Sequence, residues 1–156
     1  MVKRVNSHIA PKGAERGQSF VEMALSLVFV LVLLAGIVDL GRMFWVFVTL
    51  RDAAQEGASY ASFCPADIPG IQSRIRNSST NPVNLSDTAN IAIIISPDCS
   101  SAANVAAGIC DVGDMISVSV SNPTFRMSMP FMGGLNIPLS NTVGNTILTT
   151  TQTCPP

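Results

Sequence analysis

The dominant pattern in the chain is a long stretch without polarity. From Met23 to Val38 sixteen residues, MALSLVFVLVLLAGIV, carry no charge. Asp39 and Arg42 interrupt the run, and MFWVFVTL continues it to Leu50. A helix seated on a soluble core shows a polar stripe, whereas this stretch is apolar all round. Crossing a hydrocarbon layer takes about 20 mostly apolar residues. The stretch Phe20–Leu50 exceeds that length and predicts a transmembrane helix. The following residues, RDAAQEGASYASF, contain no proline, so the same helix is expected to run on until Pro65 ends it.

The upper part of this helix carries a strip of small side chains. Ala53, Gly57 and Ala61 repeat at i, i+4 and i+8, and Ala54, Ala58 and Ser62 repeat beside them. Such a strip lets another backbone approach closely. Two readings stand side by side: the strip seats the helix on its own domain, or it packs against other helices in an assembly.

Beyond Pro65 the period changes. Asp67–Asn77 reads as a short helix with Ile71 and Ile75 on one side. Asn77–Asn90 is polar, contains a proline and reads as a loop. Asn90–Ile95 and the alternating Met115–Val120 read as strands. Pro123 is expected to interrupt, with Thr124–Met129 as the next strand and Pro130–Pro138 as a loop. Leu139–Thr150 reads as a strand pair or one long edge strand bent at Gly144. The fold class is therefore α+β, a long N-terminal transmembrane helix continuing into a small antiparallel sheet. The expected division is a basic leader at 1–17, a long helix at 18–62 and an exported region at 63–156.

Composition agrees with this reading. Hydrophobic residues make up 47% and charged residues only 12%, against about 25% charge in an ordinary soluble domain. Net charge is −1, which gives no basic field for nucleic acid. The one histidine, His8, lies in the polar leader, so a Ser-His-Asp triad inside the domain is excluded. Lys3, Arg4, Lys12 and Arg16 precede the helix with Glu15 as the sole acid. That bias holds the leader in the cytoplasm and sends the remainder outside. All four cysteines fall in the exported part, where disulfides persist. Four cysteines allow three pairings. Proximity favours Cys99–Cys110, leaving Cys64–Cys154 to join the two ends of the exported region. A cleaved secretory signal is not expected. Its apolar core spans about 7–15 residues before a small-residue cut site, and here Asp-Leu-Gly-Arg follows Val38.

The residues entering the helix read Arg16-Gly17-Gln18-Ser19-Phe20-Val21-Glu22. A carboxylate at that depth is costly unless paired or close to the interface, and a helix N-terminus favours it. Gly-x-x-x-x-Glu after a basic leader and before a long apolar helix resembles the processing site of type IV pilin-like proteins. The resemblance implies a prepilin peptidase cutting between Gly17 and Gln18, which makes Glu22 the fifth residue of the mature chain. It also implies that Glu22 pairs with the amino terminus, at Gln18, of a neighbouring subunit. Gly17–Leu25, Gly36–Arg42, Ala53-Ala54, Glu56-Gly57-Ala58 and Tyr60-Ala61 together resemble the TadE-like family, minor pilin-like components of the bacterial Tad (Flp) pilus. Met23 and Leu40 stand where that family often has aromatics. The resemblance spans about residues 16–62. It implies other pilin-like subunits, inner-membrane platform proteins and the lipid bilayer as partners, an inner-membrane location with a cytoplasmic N-terminus, and no enzymatic activity. A type II secretion pseudopilin and a permanently anchored envelope binding or adhesion module are the alternatives.

Asp39 and Arg42 stand at i, i+3, a spacing that pairs. Asp39 lies roughly 25 Å along the helix from Glu22. The pair, with Trp45 in the aromatic belt, reads as an anchor at the outer interface or as a contact with another subunit. Asp98, Asp111 and Asp114 cluster around the Cys99–Cys110 loop, but calcium takes six to eight oxygens, and solvated turns explain them. No metal site or cofactor is expected, since no Cys-x-x-Cys spacing occurs. Asn77-Ser78-Ser79 and Asn84-Leu85-Ser86 fit the glycosylation sequon, which in a bacterial chain is a chance match.

Overall fold

A computed structural model describes residues 15–127, 134–150 and 154. Most of the basic leader, including Lys3, Arg4, His8 and Lys12, lies outside these residues, as do Met129 and much of the expected 130–138 loop. Helix α1 runs unbroken over Glu15–Ala61. It stops short of Pro65, and the Phe63 and Cys64 amides both donate to the Tyr60 carbonyl to close the last turn. Helix α2 (Ile68–Asn77) begins at the Asp67 cap, whose side chain accepts from Gly70 N. It buries Ile71 and Ile75 as the sequence predicts.

Three strands follow, with a short helix α3 (Ala102–Ala106) between the first two. They are β1 (Ala92–Ser96), β2 (Met115–Arg126) and β3 (Asn136–Thr146). The sheet is antiparallel in the order β1-β2-β3. Alternation sends Ile116, Val118 and Val120 of β2 onto the helices and Ser117, Ser119 and Ser121 to the outside. The outer hydroxyls are used locally: Ser117 Oγ donates to Ser96 O at 2.9 Å, and the Ser119 and Thr142 hydroxyls pair across the strands.

Two expectations are corrected here. Pro123 does not end a strand, because β2 continues through it to Arg126. Asn122 faces Leu139 and Phe125 faces Ile137, so two residues of β2 oppose one of β3. Pro123 sits in this bulge, facing Pro138, where the ladder is already interrupted and a missing N–H costs nothing. The Thr124 N–H is met by Asn122 Oδ1 at 3.1 Å. Likewise Gly144 is no bend. It pairs with Ser117 inside a single edge strand that starts at Asn136, earlier than the expected Leu139.

The core lies between the sheet, α2 and the upper part of α1. Leu50, Ala54, Ala58 and Ala61 of α1 are fully buried, as are Ile71, Ile75, Ile116, Val118 and Val120. Small residues on α1 bring the other elements close to its backbone. A Cβ on Gly57 would sit 2.5 Å from Ile75 Cδ1 and 3.3 Å from Val118 Cγ1. Alanine there would regain up to about 1 kcal/mol of helix propensity against the crowding. Valine regains less and adds two methyl groups to the crowding. Gly57→Val is expected to cost about 1–3 kcal/mol by overpacking, read as a lower midpoint in thermal unfolding of the micelle-bound protein.

Candidate membrane and assembly helix

Helix α1 divides by exposure into two parts. From Gly17 to Leu34 every residue is exposed, and none is buried before Asp39. Large apolar side chains project on all sides, among them Phe20 (73% exposed), Leu25, Phe29 and Ile37. Water would charge heavily for that surface, since burying one such side chain stabilises by about 1.5–3 kcal/mol. Gly17–Val38 spans about 33 Å at 1.5 Å per residue, close to the hydrocarbon thickness of a bilayer. This shaft lies within the one helix, among the described residues, that is long and apolar enough to cross a membrane.

Gly17, Gln18 and Glu22 stand at the start of the shaft. A Cβ on Gly17 would meet nothing within 4 Å. Glu22 forms no ion pair among the described residues, and its neighbours Val21 and Met23 are themselves exposed. A carboxylate is thus set on the side of an apolar rod with no ion-pair partner among the described residues.

Asp39 marks the upper end of the shaft. The i, i+3 pair forms, with Arg42 Nη1 3.5 Å from Asp39 Oδ1. The two ends differ in setting: Asp39 is only 2% exposed, whereas the Arg42 side chain is about half exposed. The carboxylate is therefore shielded while the guanidinium stays open. Trp45 is 65% exposed beside Phe44, in keeping with an aromatic at a membrane surface.

The small-residue strip of α1 faces the chain's own domain. Ala53, Ala54, Gly57, Ala58, Ala61 and Ser62 are all buried within the chain's own domain. Arg51, Asp52, Gln55, Glu56 and Ser59 form the exposed, polar arc at the same height.

The cysteines pair as Cys64–Cys154 and Cys99–Cys110, with Cα separations of 5.8 and 5.7 Å. The acidic residues of the smaller loop serve its turns. Asp98 accepts from the hydroxyl and amide of Ser100, which holds its carboxyl below the usual range. Asp114 accepts from the Asp111 amide. No cluster of three metal-ligating side chains occurs among the described residues. Asn77 and Asn84 are exposed.

One polar group escaped the sequence reading. The Tyr60 hydroxyl donates to Asp67 Oδ2 at 2.8 Å, Arg74 lies 4.6 Å over the tyrosine ring, and Arg74 Nη1 reaches Glu56 at 3.8 Å. The bond to Asp67, then burial and the Asp67 charge, raise the Tyr60 pKa, with Arg74 opposing. The group clamps α2 onto the top of α1. Its sequence signal was Asp67 ahead of Ile-Pro, a helix-start pattern whose cap doubles as the tyrosine's acceptor.

Residues 17–59 match the family described as TadE-like protein. No curated protein and no solved structure matches the chain. The matched stretch takes in the whole shaft, the Asp39–Arg42 pair and most of the small-residue strip, and stops before α2 and the sheet. The likeness to the TadE-like family is thus confined to this long helix.

Proposed function

We propose that the chain is a pilin-like structural subunit, a minor pilin or pseudopilin, in assembly of a Tad-type pilus. It enters the inner membrane with its basic leader in the cytoplasm and its disulfide-bonded head outside. A prepilin peptidase removes residues 1–17. The shaft then packs beside the shafts of other pilin-like subunits, and Glu22 neutralises a neighbour's new amino terminus at Gln18. The chain acts as a substrate of the peptidase and performs no catalysis of its own.

One observation carries this reading: the exposed apolar shaft begins at Gly-x-x-x-x-Glu, and its one acidic side chain has no charged partner among the described residues. An isolated charge in an apolar medium is expensive, so a lateral partner is the economical answer. The family match favours the Tad system over a type II secretion machine.

N-terminal sequencing of the membrane-extracted protein tests the processing step. Gln18 is the expected first residue, and Gly17→Ala is expected to leave the leader attached, visible as slower gel mobility. An intact Lys3–Arg16 segment on the parent protein in cells with active peptidase would instead identify a permanently anchored envelope module.

A further inference from the structure

A cavity of about 630 Å³ opens at the end of the folded head nearest the shaft. Arg42 and Trp45 of α1 form one wall, Asp87 and its loop a second, and Phe125 and Arg126 at the end of β2 a third. The strand directions explain this meeting. The Leu148 amide donates to Ser62 O at 2.8 Å, which fixes the end of β3 and the paired start of β2 beside the top of α1. Strand β2 therefore runs back along the helix and delivers Arg126 to the cavity that Arg42 also lines.

The height of the cavity follows from the same helix. Arg42 lies about 6 Å beyond Val38, the last residue of the exposed shaft. With the shaft filling the hydrocarbon, the cavity mouth stands in the headgroup layer. This step rests on the membrane-spanning reading above.

The lining has a specific chemistry. Arg126 forms no ion pair among the described residues. Asn84 and Asn122 direct their carbonyl oxygens to the Ser86 and Thr124 amides, so their NH2 groups remain as donors. Asp87 supplies an acceptor, with Oδ1 taking the Ala89 amide and Oδ2 the Asn90 side chain. Cation, neutral donors and anion thus share one cleft. Guanidinium groups match a phosphate through charge-assisted bonds, and a carboxylate matches a primary ammonium.

We propose that this cavity seats the headgroup of a zwitterionic aminophospholipid from the membrane that the shaft crosses, with the phosphate on Arg126 and Arg42 and the ammonium on Asp87. The hydrogen bonds from Asn90 and Ala89 hold the Asp87 carboxyl below the usual range and keep it ionised. A seated lipid fixes the depth of the shaft and the tilt of the head above the bilayer.

The test uses the full chain in detergent micelles, with short-chain phosphatidylethanolamine, phosphatidylglycerol and diacylglycerol as probes in native mass spectrometry. A one-to-one adduct with phosphatidylethanolamine is expected, and little with diacylglycerol. Arg126→Gln is expected to weaken both phospholipids about tenfold. Asp87→Asn should weaken phosphatidylethanolamine several-fold and spare phosphatidylglycerol. Both positions lie outside the core, and thermal unfolding confirms that the variants remain folded. Equal binding of diacylglycerol, a parent preference for phosphatidylglycerol, or variants that bind like the parent would each overturn the assignment. Failure of the membrane reading itself shows separately, as release of the chain from membranes by alkaline carbonate.

Discussion

Replacing Cys64 and Cys154 together with alanine is expected to cost the head about 4–5 kcal/mol, the largest loss from any single cross-link in the chain. The two cysteines are 90 residues apart, so their bond closes nearly all of the chain after α1 into one ring. Chain-entropy arguments give about 4–5 kcal/mol for a loop of that size. The Cys99–Cys110 bond spans 11 residues and on the same argument gives about 3 kcal/mol. Typical domains hold only about 5–15 kcal/mol in all. The longer bridge therefore decides whether the head stays folded under stress.

The structure adds a reason for its placement. Cys64 is buried just past the end of α1, and the Ser62 carbonyl two residues earlier already receives the Leu148 amide. The bridge and this hydrogen bond tie Cys154 and Leu148 to the top of the helix. Urea unfolding of the micelle-bound protein, followed through Trp45, checks the prediction, since the chain has one tryptophan. The double alanine variant at 64 and 154 should unfold at the lower urea concentration of the two. If the variant lacking Cys99 and Cys110 proved the weaker, loop closure would not be the source of the stabilisation.

How much of this was legible beforehand varies with the physical signal. Helix α1 and its length follow from an apolar run that no soluble core accommodates. Helix α2 was readable from a capping aspartate and two isoleucines one turn apart. Of the three possible cysteine pairings, spacing favours the one the structure has. The full length of β2 is not legible, because a proline inside a strand ordinarily stops it and nothing in Ser-Asn-Pro-Thr-Phe announces that a bulge will face the proline with a second one at 138. Helix α3 has five residues and no side-chain cap, so it left no periodic trace. The burial of Asp39 was equally hidden. A charge midway along an oily helix looks like a membrane boundary, and only the tertiary structure shows it buried. The ambiguity of the small-residue strip had the same origin: spacing shows that a backbone comes close but not which one.

Glu22→Ala is expected to leave trimming intact and to reduce the amount of protein recovered in sheared pili by at least about tenfold. The argument starts from cost. Glu22 lies about 6 Å along the helix from Gln18, and both project from a shaft exposed on every side. In the mature chain as proposed, the Gln18 nitrogen carries a positive charge, and neither group is well placed in lipid alone. A neighbouring shaft shifted by about one turn brings the two together. Removing one member of such a buried pair costs about 3–5 kcal/mol, because the remaining charge is left uncompensated. At about 1.4 kcal/mol per factor of ten, a single lost contact already exceeds a hundredfold in the association constant. A fibre repeats that loss at each subunit that uses the contact. Glu22→Asp keeps the charge on a shorter arm and should retain part of the yield, while Glu22→Gln keeps the shape without the charge and should behave like alanine. Immunoblots of sheared pili against membranes, with the N-terminus sequenced in each variant, read both steps. Equal yields from the glutamine variant and the parent would show that packing of the apolar faces alone drives assembly.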